Sequence, residues 1–517
     1  MKRRDFLRRT TPIVAAPLLL NGMRVRGIAR ENFLYNGLRG LDATDRVLVI
    51  IQLEGGNDGL NMVVPIEDEL YYAARPTLAV AKGEALALAG EPLLALHPAM
   101  EGVRRMYDDG AAAIVNNIGY DRMNLSHFTG TEIWNTASGS DKTSFLDTGW
   151  IGRYLQGEFP DYPDVLPEDP PAIEINPGTS TLFTVLGASI GMALTDPEEF
   201  HRLVGSGPSI EDDVDGTTPA GREWEYIDSV REQSHLYAEV VRAAAAKASN
   251  IASYPATPFA NALAIIARLV AGGLGTRIYK VSLGNFDTHG YQATAHPLLL
   301  GTLSDGIAAF RNDLVALGVD DRVVGMTYSE FGRRVGENGA GTDHGTAAPH
   351  IVFGGSVAGG RMLGGYPDLA DLDAGGNLRH AIGFHCYYAS VIAPLFTIDE
   401  PRLDAILPYG RCDRSDFLPL FNASSAPHDR RDDRASLHLH IEPNPADRFV
   451  RVVLPASGDR AREILLTDME GRTIERYRCE AGAGVITIDV AHLPAGSYPL
   501  SLMGGIEPVG AVMRIIR

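Results

Sequence analysis

Continuous apolar runs mark the first three-quarters of the chain. Residues 46–53, Arg-Val-Leu-Val-Ile-Ile-Gln-Leu, read as a strand buried on both faces. The run ends in Glu54-Gly55-Gly56-Asn57-Asp58-Gly59, turn chemistry suited to a site loop. Residues 111–118 repeat the pattern, and Asp121-Arg122-Met123-Asn124-Leu125-Ser126-His127-Phe128 then leads toward a helix. Residues 276–283 and 321–328 are two further buried-strand candidates. Between them, residues 297–317 place Leu300, Leu303, Ile307, Phe310 and Leu314 on one helical face. Strand, helix and strand in that order predict a parallel α/β sheet. Residues 224–246 form another helix candidate, read as packing, and the proline-rich residues 159–177 read as a surface excursion.

The pattern changes at residues 423–434, where Ser-Ser, Pro427 and a cluster of Asp and Arg interrupt it. Short strand-like stretches follow at 437–441, 449–454, 463–468, 473–479, 485–490 and 497–502, separated by turns such as Pro443-Asn444-Pro445 and Glu470-Gly471. They predict a small all-β sandwich. The expected organisation is an export signal at 1–30, an α/β domain at 40–422, a linker at 423–436 and the sandwich at 437–517.

Composition narrows the functions open to such a chain. With 517 residues and 45% hydrophobic content it is globular. A net charge of -19 argues against sequence-independent binding to nucleic acid or an anionic membrane, and favours solubility and cation binding. Three cysteines, Cys386, Cys412 and Cys479, permit at most one bridge, so no disulfide framework holds the fold. Lys2-Arg3-Arg4-Asp5-Phe6-Leu7-Arg8 before an apolar run at 12–20 has the layout of a twin-arginine export signal. The run is too short to span a bilayer, so no transmembrane helix is expected in the mature chain.

Three runs join acids to histidines near strand ends: Asn285-Phe286-Asp287-Thr288-His289-Gly290, Ser329-Glu330-Phe331-Gly332-Arg333 and Gly341-Thr342-Asp343-His344-Gly345. Carboxylates and imidazoles at the carboxyl ends of strands can hold a divalent metal such as zinc or manganese, which lowers the pKa of a bound water or hydroxyl. Asp287, His289, Asp343 and His344 are the leading ligands, with Asp58 and Glu330 next. Plainer roles stay open. An Asp-His pair can simply be hydrogen-bonded, Glu330 can pair with Arg333 or Arg334, and Gly-Gly-Asn-Asp-Gly is good turn chemistry by itself. His296 stays open as a ligand, although a histidine at the head of an amphipathic helix is more often a cap or a packed surface group. Ser126 is either an N-cap or, with a metal or base to deprotonate it, a nucleophile near a helix dipole. Neither Gly-x-x-x-x-Gly-Lys nor His-Glu-x-x-His occurs.

Gln52 to Asn61, Ser126-His127-Phe128 and the three acid/histidine runs together resemble the domain-of-unknown-function 1501 family of exported bacterial proteins, over roughly residues 40 to 410. That family is similar to the alkaline phosphatase and sulfatase superfamily. The resemblance implies a doubly wound, mostly parallel α/β sheet flanked by helices and a metal-dependent ester hydrolase site. Asp58 then matches the first-strand metal carboxylate, Ser126 the nucleophile, and Asp287 and His289 a later acid and histidine. Asp343-His344 fits either of two metal slots, with Glu330 at a strand end. The Cys-x-Pro-x-Arg of sulfatases is missing, which argues against a formylglycine enzyme, and the standard phosphatase spacing is not kept. Glu442-Pro443-Asn444-Pro445-Ala446, Thr467 to Arg472 and Leu493 to Tyr498 resemble the C-terminal sorting domain of the type IX secretion system. This implies passage by the twin-arginine translocase and then the type IX machinery, through the periplasm to the medium or the cell surface.

The leading expectation is an exported hydrolase of phosphate or sulfate esters, small-molecule or glycan, acting through Ser126 and a divalent metal. The alternatives are a non-catalytic surface protein of the same fold that binds a glycan or protein partner, and a structural component of the export or gliding surface.

Overall fold

The computed structural model describes residues 45–422 apart from 141–144, 164, 186, 206–233 and 411, together with 18–20, 23–25, 440–442, 448–453, 462–467, 473–479, 485–494, 496–503 and 509–515. The twin-arginine segment and the expected linker lie outside the described residues. The chain divides into two compact units, Asp45–Ala426 and a second that contains Pro427–Arg517.

A nine-stranded sheet runs through the first unit. Its strands are β1 (Val47–Leu53), β2 (Ala112–Gly119), β3 (Ala172–Ile175), β4 (Met192–Leu194), β5 (Ile278–Leu283), β6 (Val323–Tyr328), β7 (Ala348–Phe353), β8 (Arg361–Leu363) and β9 (Ile382–Gly383). Across the sheet they lie in the order β4-β3-β5-β1-β6-β7-β2-β8, with β9 also paired to β2. Every pairing is parallel except those of β7, which runs against both β6 and β2.

Helices cover both faces, which is why the strands read as continuous apolar runs. On one face Val47, Val49, Ile51 and Leu53 pack with α1 (Glu101–Asp108), α4 (Pro258–Ala271) and α5 (Gln292–Ala316). On the other, Leu48 and Ile50 pack with α2 (His127–Thr136), α3 (Trp150–Glu158) and α6 (Phe384–Phe396). All seven residues of β1 are buried, and each fully buried Val, Leu or Ile contributes about 1.5–3 kcal/mol. The α/β expectation, with a mostly parallel sheet between helices, is therefore met. Helix α5 starts five residues before the Pro297 at which its apolar pattern begins, because Tyr291 turns the chain with a left-handed backbone, φ 55°. Of the helix expected at 224–246, residues 224–233 lie outside the described residues, and the described part runs from 234 to 247. Cys386 and Cys412 form a disulfide, at home in an oxidising compartment. Among the described residues no helix is long and apolar enough to cross a membrane.

The described residues of Pro427–Arg517 hold seven strands: β10 (His440–Glu442), β11 (Phe449–Val453), β12 (Arg462–Thr467), β13 (Thr473–Cys479), β14 (Val485–Asp489), β15 (Gly496–Met503) and β16 (Val509–Ile515). They form two antiparallel sheets, β10-β11-β14 and β13-β12-β15-β16. Val450, Val452, Ile464, Leu466, Ile488 and Leu500 form their core.

The topology decides where chemistry can sit. The carboxyl ends of β1, β2, β5 and β6 and the amino end of β7 meet at one edge of the large sheet, the edge at which open α/β sheets bind ligands.

Candidate metal centre

Close approach of three loops builds the floor of the site. Gly55 and Gly56, after β1, have φ of 116° and 75°. A side chain on Gly55 would strike the backbone of Phe286 and Asp287, and one on Gly56 the ring of Phe331, so only glycine serves here. Arg333, 2% exposed, stitches the loops together. Its Nε donates to the Gly56 carbonyl (2.7 Å), Nη1 to the Thr342 carbonyl (2.8 Å) and Nη2 to the Asp287 carboxylate (2.6 Å).

On this floor the ligand atoms of His127, Asp287 and His344 all lie within 4.8 Å of one another. His344 Nε2 is 3.1 Å from Asp287 Oδ1, His289 Nε2 is 3.1 Å from the same oxygen, and the two Nε2 atoms are 2.9 Å apart. His127 Nε2 stands 3.4 Å from Asp287 Oδ2 and makes no hydrogen bond.

The opposite nitrogens fix the tautomers. His344 Nδ1 lies 2.8 Å from the Leu125 carbonyl, which can only accept, so Nδ1 carries the hydrogen. His289 Nδ1 donates to Asp343 Oδ1 (3.0 Å), an oxygen that also accepts from Asn338 Nδ2 (3.1 Å). His127 Nδ1 donates to Glu330 Oε1 (2.8 Å), which also accepts the Gly55 amide (2.8 Å). Each ring therefore turns its Nε2 toward the Asp287 carboxylate, and a contact of that kind needs a proton or a cation between the two. Histidines whose Nδ1–H is held by a carbonyl or carboxylate are what metal coordination requires of its ligands, so these residues fit a divalent ion.

The charges agree with this arrangement. Burial pushes the Asp287 carboxyl up, but hydrogen bonds from Arg333 and His344 outweigh it and hold the group at about 2. Hydrogen bonds from Asn338 and His289 lower Asp343. The bond to Glu330 raises His127, against the opposing effect of burial.

Asp58 lies elsewhere, wholly buried in an ion pair with the equally buried Arg75 (2.6 Å). Gln292 Nε2 donates to the same oxygen. Burial pushes the Asp58 carboxyl up, but Arg75 more than compensates and the group sits below its ordinary value. Behind it, His296 Nε2 bonds Asn57 Oδ1 at 2.9 Å. His296 is 1% exposed, not a surface group, and desolvation brings it down to about 4, so it is neutral at pH 7.

Ser126 occupies the N-cap of α2 with extended backbone, yet its hydroxyl makes no capping bond. The residue is exposed and sits between Leu125, which holds His344, and His127.

Of the residues singled out in the sequence, Asp287, His289, Asp343 and His344 come together, with Ser126 beside them. Glu330 stands one step behind, orienting His127, and pairs with neither Arg333 nor Arg334 in doing so. His127 and Arg75 were not singled out. His127 follows Ser126 at the same sheet edge, a signal the sequence carried. Arg75, in Tyr71-Tyr72-Ala73-Ala74-Arg75, carried none.

Residues 224–378 match a family model described as "Protein of unknown function (DUF1501)", and residues 440–511 match a secretion-system C-terminal sorting domain. Comparison with curated proteins finds no match. Among solved structures, the lipoteichoic acid synthase LtaP from Listeria monocytogenes is 9% identical with a TM-score of 0.32, covering 74% of this chain and 77% of its own. A protein in the alkaline phosphatase superfamily from Vibrio parahaemolyticus is 9% identical with a TM-score of 0.35, covering 86% and 79%. The PsFucS1 sulfatase from Pseudoalteromonas sp. is 11% identical with a TM-score of 0.33, covering 88% and 86%. Scores this low assign no function, and the α/β architecture rests on the sheet itself. The chain carries a segment that matches the DUF1501 model and, after it, a match to a secretion-system C-terminal sorting domain, which marks an exported protein of the cell surface or the medium.

Proposed function

We propose that this exported protein hydrolyses phosphate or sulfate esters with a divalent metal held by His127, Asp287 and His344, and with Ser126 as nucleophile. The observation that carries the reading is the convergence of imidazole Nε2 atoms on one carboxylate, each ring fixed from behind by a carbonyl or carboxylate. His289 and Asp343 line the same centre, and Glu330 holds the His127 ring. The donor set, nitrogen-rich with one carboxylate, suits zinc and its neighbours better than calcium or magnesium.

A divalent ion bound here supplies positive charge beside the ester and makes a nearby hydroxyl more acidic. Ser126 contributes a hydroxyl left free of capping duty, at a helix start where first-turn amides and the helix dipole favour negative charge. Arg333 keeps Asp287 ionised and in place. The motif resemblance to the alkaline phosphatase and sulfatase superfamily supports ester hydrolysis as the reaction.

The test is metal content by mass spectrometry on the folded protein, followed by a screen of phosphate and sulfate esters with the wild type and Ser126→Ala. Bound metal, with turnover abolished in Ser126→Ala, is expected. Turnover that survives Ser126→Ala removes the serine mechanism, and bound metal without turnover of any ester leaves a binding protein.

A further inference from the structure

We propose that this centre takes a single transition-metal dication, because the Arg75 guanidinium permanently fills the cation position beside Asp58. The inference rests on the metal-centre reading above and adds the number of ions.

Asp58 and Asp287 both follow strands of the same sheet edge, on the loops after β1 and β5. A second ion at that edge would draw on the Asp58 carboxylate, since Glu330 is already spent on His127 and Gly55. That carboxylate already has its counter-ion. Arg75 Nη1 lies 2.6 Å from Asp58 Oδ2, and both side chains are 0% exposed. The guanidinium is anchored on its other sides as well: Nη1 to Asn61 Oδ1 (2.6 Å), Nε to the Val335 carbonyl (2.8 Å) and Nη2 to the Arg334 carbonyl (2.9 Å).

Arginine stays protonated at any working pH, so its charge does not yield to a metal. A dication at Asp58 would meet a fixed positive charge across one carboxylate in a dry interior, where like charges repel strongly. Displacing the guanidinium would strand it without those acceptors.

Nor is a second donor set assembled around Asp58. His296 spends Nε2 on Asn57 and Gln292 spends its amide on Asp58 itself, which leaves only Asp58 Oδ1 and His296 Nδ1 without hydrogen bonds there, too few to hold a dication. Among the described residues, the ligand atoms that gather in threes do so around Asp287, from His127, His344 and His289, and not around Asp58.

The experiment loads the full-length protein with zinc, removes excess ion by gel filtration and measures metal per chain for the wild type, Asp58→Asn and His344→Ala. One equivalent in the wild type and in Asp58→Asn, lost in His344→Ala, is the expected result. Two equivalents in the wild type overturn the single-ion proposal while leaving the metal centre standing, and loss of the second in Asp58→Asn would place it at Asp58. No bound metal in the wild type overturns both readings. Should Asp58→Asn fail to fold, the wild-type stoichiometry by itself decides between one ion and two.

Discussion

Asp58 and Asp287 leave the same sheet edge on neighbouring loops and meet opposite surroundings. Asp58 is sealed from solvent, matched to Arg75 and given the Gln292 amide, so its charge is settled within the fold. The side chain of Asp287 is 45% exposed and faces the Nε2 atoms of His289 and His344, whose Nδ1 atoms are held from behind. An acid neutralised inside the core holds a structure together. One left in the open among imidazole nitrogens invites a cation from outside. The difference separates a structural carboxylate from a functional one where sequence motifs treat them alike.

The largest expected effect comes from breaking the settled side of this contrast. Arg75→Met leaves Asp58 as a buried charge without its partner, which costs about 3–5 kcal/mol. Urea unfolding of the metal-free protein measures it. A loss below about 1 kcal/mol would mean that the pair is solvated and that the contrast with Asp287 is false.

The same buried side has a pH signature. His296, beside Asn57, sits at about 4 in the folded protein against an ordinary 6.5. Between those values the unfolded chain takes up a proton that the folded protein refuses, so stability falls as pH drops through this window and is recovered as pH rises. From pH 7 to pH 5 the wild type should lose about 2 kcal/mol more than His296→Gln, as read from denaturant midpoints at each pH. Equal losses would show that His296 already reaches solvent.

The exposed side of the contrast is sharpened by Glu330. Its carboxylate holds His127 Nδ1 and the Gly55 amide. Glu330→Gln keeps the shape and removes the charge that anchors the imidazole hydrogen. Metal affinity should fall at least tenfold, about 1.4 kcal/mol, in competition with a chromophoric chelator. Unchanged affinity would make Glu330 a loop brace only.

What the sequence made legible follows the same division. Buried strands such as β1 and β6 declare themselves, because a sheet covered on both faces demands unbroken apolar runs. The acid/histidine runs declare Asp287, His289, Asp343 and His344, because they sit where such strands end. His127 was one residue from the serine that drew notice, but a lone histidine at a helix start has too many ordinary uses to stand out. Arg75 was invisible: its role depends on a fold contact with Asp58, seventeen residues away, and no local pattern encodes a counter-ion. The final strand, Val509–Ile515, was missed because Gly510 and Arg514 break its apolar run.

The smallest predicted effect tests whether loop geometry and ligand geometry can be separated. Tyr291 holds a left-handed backbone, φ 55° and ψ 20°, two residues after His289, and its ring is 87% exposed. A non-glycine residue in that region costs about 1 kcal/mol, and glycine relieves this while raising the entropy of the unfolded chain. Tyr291→Gly should therefore move stability by less than about 1 kcal/mol and leave zinc affinity unchanged, because His289 is held by Asp343 and Asn338 binds the His289 carbonyl. If affinity falls with stability intact, the tyrosine itself positions the His289 loop. The centre would then depend on a surface residue, not only on the buried floor that Arg333 ties together.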